Sequence, residues 1–346
     1  MKVHIIEEVY WMIDTFLFAT NAILPIVLLI ILGYVLKRIG FIDQHFVNVL
    51  NKYVFRVGLP ALLFFNVYNI EDFSEIKLGV IAFAVVMMLV LFGIGLITIP
   101  YLVKDPNQKG VVLQVIVRSN FALIGIPLAQ TLGGVEAIAV VALLSAFTIP
   151  LANILSVVSL NMYHINDQGE KISVKKMVLN ILTNPLIIGV FTGLFVLFIR
   201  GLITPEGGTP VISMKDDFTF MYNSIRLISQ TASPMALIAL GGQFQLSVVK
   251  PLFKEITLGV AWRILIVPLI TLGLAYYLED QIVGMEHAYA GLIALFATPV
   301  AVSSAIMVHE MGGDEKLAGQ LVIWSSVFSI FTLFGFIVFF RSIGAL

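Results

Sequence analysis

Short landmarks in the first half of the chain return, in the same order, in the second. Ile76-Lys77-Leu78-Gly79-Val80 recurs as Ile256-Thr257-Leu258-Gly259-Val260 and Pro60 as Pro234. Gly133-Gly134 followed by Glu136 recurs as Gly312-Gly313 followed by Glu315, and Pro25 with Gly33 as Pro185 with Gly193. The separations run from roughly 160 to 180 residues, which indicates a duplicated unit whose loops differ in length. Where the duplicated unit is apolar, such a repeat builds two halves around one central site.

The unit is apolar. Hydrophobic residues make up 59% of the chain and charged residues only 12%, about half the charged share of a soluble domain. Many continuous apolar runs approach the roughly 20 residues that cross a bilayer. Their continuity predicts helices, since a transmembrane barrel would alternate in polarity along each strand. The fold class is therefore an all-α integral membrane protein. Cysteine is absent, which excludes disulfide and thiol chemistry. Glu7, Glu8 and Asp14 do not fit a cleavable signal, so residues 1–20 read as a lead-in helix.

Ten spans follow along the chain, at 21–36, 47–68, 78–103, 110–132 and 135–163, then 177–199, 218–244, 252–278, 286–311 and 316–340. Residues 21–163 form the first repeat, 164–176 a polar connection and 177–346 the second repeat. The second span is interrupted at Gly58-Leu59-Pro60 and the seventh at Pro234. The fourth is broken by Asn120, Gly125 and Pro127, and the ninth by Pro299. A kink accounts for Pro150 and Pro268. The breaks of the fourth and ninth spans fall at corresponding places in the two halves and ask for more.

Lysine and arginine set the orientation. Eleven fall in the odd-numbered connections and five on the opposite side, while Arg56, Arg118, Arg226 and Arg263 lie in or near apolar segments. The excess predicts that the odd connections are cytoplasmic and both termini outside. Five spans per half is an odd number, so the second half enters from the opposite face and the repeat is inverted. Such halves exchange mirrored conformations and expose a midplane site to each side in turn.

Aligned on Gly-Gly, the segment from Arg118 to Pro127 falls against the segment from Ala297 to Ile306. Both are rich in small and polar residues where an ordinary span is Leu, Val and Phe. The two unwound segments are expected to cross and form the binding centre. Candidate substrate contacts are Arg118, Asn120, Pro127, Thr298, Pro299, Ser303, Ser304 and Arg263. A guanidinium can hold a carboxylate through two parallel bonds, although an intramembrane arginine can equally brace helices through backbone carbonyls. Arg56 and Arg226 read as snorkelling side chains. Candidate ion-coupling groups are Ser119, Ser145, Thr148, His309 and Glu310, with Gln114 also available. Histidine titrates near neutrality, whereas serine and threonine routinely bond their own helix. Sodium and the proton both stay open as coupling ions.

The residues 21–66, with Asn21-Ala22-Ile23-Leu24-Pro25 and Gly58-Leu59-Pro60-Ala61, resemble the auxin efflux carrier family. So do Asn120 and Pro127 of the fourth span, Asn184-Pro185, and Thr298-Pro299 with the segment that follows. The similarity extends over about residues 20–340. It implies ten helices in an inverted five-plus-five repeat with crossed broken helices in spans 4 and 9. Asn120 and Pro127 would match the first crossover and Pro299 the second. It also implies a scaffold of spans 1, 2, 6 and 7 carrying a moving transport domain, and a homodimer. The short connection between the halves favours the bacterial organic-anion permease branch, in the cytoplasmic membrane.

A secondary carrier of a small mono- or dicarboxylate, such as malonate or malate, is the leading functional expectation, with the lipid bilayer as its surroundings. A carrier of neutral or aromatic solutes, auxin-like, and a sensor on a transporter fold are the alternatives. No zincin pair, Gly-x-Ser-x-Gly elbow or phosphate loop is present, which disfavours an enzyme or direct nucleotide drive. No cofactor and no nucleic-acid partner are expected.

Overall fold

The computed structural model describes residues 2–69, 78–163, 174–204 and 212–346. Most of the polar connection, part of the Gly/Pro loop around 201–210, and Ile76-Lys77 of the repeat lie outside the described residues. The described chain is helical apart from one isolated β-bridge. In the first half, α1 spans Lys2–Arg38, α2 Gln44–Tyr53, α3 Leu59–Tyr68, α4 Leu78–Leu102, α5 Pro106–Val117 and α6 Ile126–Tyr163. In the second, α7 spans Val174–Leu182, α8 Pro185–Ile203, α9 Thr219–Gln243, α10 Phe253–Ala261, α11 Val267–Tyr277, α12 Tyr289–Phe296, α13 Val302–Met311 and α14 Glu315–Ser342. Five segments among the described residues are long and apolar enough to cross a membrane: Leu78–Leu102, Leu143–Tyr163, Pro185–Ile203, Phe253–Tyr277 and Glu315–Ser342.

Prolines explain where the helices change pitch. Three π-helical turns occur, at Val54–Gly58, Phe121–Gly125 and Trp262–Ile266. Each ends two residues before a proline, namely Pro60, Pro127 and Pro268. A proline ring clashes with the carbonyl four residues back and leaves that carbonyl without its N–H. Widening the preceding turn by one residue relieves the clash and lets the helix continue. Pro106 and Pro185 instead open helices at the first position, where no N–H is needed. There Asp105 and Asn184 accept the N–H groups of Asn107 and Leu186 at 2.9 Å each.

Several expected boundaries move. The lead-in and first span are one continuous helix, α1. The interruption at Gly58-Leu59-Pro60 is a π-turn joining α2 to α3, and α9 runs through Pro234. Asn184-Pro185 divides the sixth span into α7 and α8. Gly133-Gly134 does not separate the fourth and fifth spans, because α6 continues across it. The matching Gly312-Gly313 does stop α13, both residues having positive φ. Positive φ ends a helix, and glycine adopts it without steric cost.

Close helix contacts depend on missing side chains. A Cβ on Gly33 of α1 would stand 2.2 Å from the Ile238 carbonyl oxygen of α9, and one on Gly241 of α9 would stand 2.0 Å from the Ile30 oxygen of α1. Gly189 and Gly193 of α8 lie in the same way against Pro60 and Val67 of α3. The Gly-x-x-x-Gly motif is thus used inside the protomer. These contacts gather α1, α2–α3, α8 and α9 into one group, while α4–α6 and α10–α14 pack chiefly on one another. Gly241→Ala is expected to cost about 1–3 kcal/mol by overpacking, read as a lowered melting temperature in detergent. Gly273→Ala, where a Cβ meets open space, is the control and should leave stability unchanged or slightly raised.

Candidate functional site

The two broken helices meet. Between α5 and the following π-turn, residues 118–120 are extended, and between α12 and α13 so are residues 299–301. The segments pair as an antiparallel bridge at Ser119 and Val300. Asn120 N–H donates to the Pro299 carbonyl at 2.8 Å, and Ala301 N–H to the Arg118 carbonyl at 3.1 Å. Each break thereby satisfies part of the backbone that the other has freed.

Four further freed carbonyls turn to one side chain. Ile116 O would accept from Asn120 N–H in a continuous helix, but that donor is used across the bridge. Leu295 O faces Pro299, which has no N–H. Phe296 O loses Val300 N–H to the Ser325 hydroxyl at 3.1 Å. Thr298 O lies in the break itself. Arg263, in the π-turn of the eighth span and 1% exposed, donates to all four. Its Nε reaches Thr298 O at 3.0 Å, Nη1 reaches Ile116 O at 2.9 Å, and Nη2 reaches Leu295 O at 3.2 Å and Phe296 O. These are the carboxyl ends of α5 and α12, where the helix dipole favours a cation. The geometry makes Arg263 a brace, with its guanidinium occupied by carbonyls.

Beside the crossing lies a cavity of about 70 Å³. Phe121 and Ala122, which begin the helical segment after the first break, line it, as do Val302 and Ser303, which begin α13. The first N–H groups of a helix have no partner within it and carry partial positive charge. Arg118 adds a full charge. It is 4% exposed, and its Nη2 donates to Ser303 Oγ at 3.0 Å while Nη1 meets the weakly accepting Met307 sulfur at 3.3 Å. Arg118 Nε and Asn120 Nδ2 are buried without a hydrogen-bond partner. Thr148 and Asn153 of α6, Ser233 of α9 and Ser119 also line it, and the rest of the wall is apolar, with Leu59, Leu63, Ile149 and Leu186 among the residues.

Of the residues singled out in the sequence, Arg118, Ser119, Asn120, Thr148 and Ser303 share this cavity. Thr298, Pro299 and Arg263 belong to the crossing behind it. Pro127 is the second residue of α6, just past the π-turn. Ser304 is buried on α13, its hydroxyl without a partner. Ser145 is buried on α6, nearly one turn before Thr148, whose own hydroxyl donates to the Leu144 carbonyl at 2.6 Å. His309 and Glu310 sit about 9 Å along α13 from Ser303. There His309 Nδ1 lies 2.9 Å from a Glu315 carboxylate oxygen and 3.3 Å from the Gln243 amide. The ion-coupling candidates are therefore not gathered into one place.

Sequence reasoning missed Asn153, Ser233 and Ser325. Asn153 and Ser233 line the cavity, but nothing in the sequence sets them apart from the other polar residues of α6 and α9. Ser325 carried a faint signal, since Ser325, Ser326 and Ser329 form a buried small-residue face on α14.

Helices long enough to cross a membrane, packed with two shorter broken segments that cross beside a charged cavity, are the architecture of a multi-pass membrane protein. Residues 18–337 match the membrane transport protein family, and the chain belongs to that family. It is also similar to an uncharacterized transporter of Methanothermobacter thermautotrophicus strain Delta H. The two are 25% identical over 326 residues, which cover 92% of this chain and 97% of the relative.

Ser325→Ala leaves the buried Val300 N–H unpaired and is expected to cost about 1–3 kcal/mol. Ser326→Ala removes only a bond to its own helix at Val322 O and should cost less. Thermal unfolding of the two variants side by side checks the difference.

Proposed function

We propose that this protein is a secondary carrier of small organic anions that works by alternating access. One observation carries the reading. Two buried donors without acceptors, Arg118 Nε and Asn120 Nδ2, belong to residues lining a cavity that also receives the first residues of two helices. Buried donors left unpaired are costly, and a guanidinium beside helix amino termini is a site for negative charge. A carboxylate would supply acceptors for these two donors. The apolar part of the wall would suit the ring of an auxin-like aromatic acid, and the polar residues beside Arg118 keep malonate and malate open as well.

The inverted ten-span repeat is part of the proposal. Residues equivalent in the two halves touch one another, as expected near a two-fold axis: Gly58 packs on Ala232 and Asn120 bonds Pro299. The close contact of α1 on α9 likewise has its counterpart in that of α8 on α3. The second group of helices would move against the scaffold of α1, α2–α3, α8 and α9, in the manner of an elevator. The expected setting is a bacterial cytoplasmic membrane, with both termini outside, a homodimer through the scaffold, and either sodium or the proton as coupling ion.

Isotope counterflow in proteoliposomes tests the reading, with malonate, malate, lactate and indole-3-acetate offered in turn, with and without sodium or a pH gradient. Saturable exchange of at least one acid is expected. Arg118→Ala should lose about 10-fold to 100-fold in apparent affinity, the worth of a charged hydrogen bond, and Arg118→Lys should lose less. Exchange unaffected by Arg118→Ala, or none with any acid, would remove the basis for an anion carrier.

A further inference from the structure

We propose that Arg263 is a tethered cation, holding the place at the helix crossing that a dissociable metal ion could otherwise take. The four carbonyls it binds come from two separate broken helices, and each has lost its helical donor for an identifiable reason. Converging carbonyls at two helix carboxyl ends form a cation site in a membrane protein. Here the cation is covalently part of the eighth span and is almost wholly buried. Named hydrogen bonds use four of its five N–H groups, so the guanidinium fits the set closely.

The assignment separates two arginines that look alike in the sequence. Arg118 faces the cavity with an unused donor, whereas Arg263 faces the carbonyls behind it. Because Arg263 enters from α10–α11, it ties that helix pair to both breaks, so the crossing should move as one body with the eighth span. These carbonyls need no sodium ion.

The test uses the purified full-length protein and reads melting temperature, so it needs neither a transported substrate nor the anion-carrier reading. Parent, Arg263→Lys and Arg263→Met are compared in choline chloride, sodium chloride and choline chloride with millimolar methylguanidinium, at constant ionic strength. The expected order of stability is parent, then Arg263→Lys, then Arg263→Met. Methylguanidinium should raise the melting temperature of Arg263→Met saturably while leaving the parent unchanged. An uncapped carbonyl set that was merely short of packing volume would show no cation selectivity. If Arg263→Met does not fold, recovery of folded Arg263→Lys, or of Arg263→Met purified with methylguanidinium, supports the proposal. Arg263→Met as stable as the parent, Arg263→Met folded without any response to cations, or loss of both variants with and without methylguanidinium overturns it.

Discussion

Backbone groups freed by two helix breaks organise this molecule. In water such groups would be solvated, but inside a bilayer each unpaired one costs several kcal/mol. The crossing resolves the cost in two directions. Freed carbonyls at the ends of α5 and α12 turn toward Arg263, while the starts of the two following helices turn toward the cavity that holds Arg118. The helix starts that line the cavity, together with Arg118, give it a positive potential.

The rest of the fold supplies a rigid frame for that arrangement. Glycines without room for a Cβ hold α1 on α9 and α8 on α3 at backbone distance. The two groups of helices meet across the cavity itself, with Leu59, Leu186 and Ala236 on one side and Arg118, Thr148 and Ser303 on the other. In the proposed carrier, this boundary is where one group of helices would move against the other. The pairing of His309 with Glu315 and Gln243 bridges the same boundary at the far end of α13.

Much of this was legible in the sequence, and what was not had a physical cause. The two breaks are visible because Asn120, Pro127 and Pro299 are out of place in apolar spans, and their matching positions in a repeat point to a crossing. The difference between Arg118 and Arg263 is not visible, since both are single arginines in apolar runs. Only the third dimension shows that one meets a serine and a sulfur while the other meets four carbonyls. Pro234 misled as a break and Gly133-Gly134 as a boundary, because proline and glycine lower helix propensity without obliging a helix to stop, and α9 and α6 run through them. The π-turns before Pro60, Pro127 and Pro268 follow from proline sterics in retrospect. Pro25, Pro100, Pro150 and Pro234 lie inside ordinary α-helix, however, so proline alone does not signal a π-turn.

An experimental structure determined in lipid with a bound carboxylate tests the central claim most directly. The carboxylate is expected within hydrogen-bond distance of Arg118 Nε and Asn120 Nδ2, at the start of α13, with Arg263 still bonded to the carbonyls of Ile116, Leu295, Phe296 and Thr298. A carboxylate bound to Arg263, or broken helices that do not cross at Ser119 and Val300, would contradict the account.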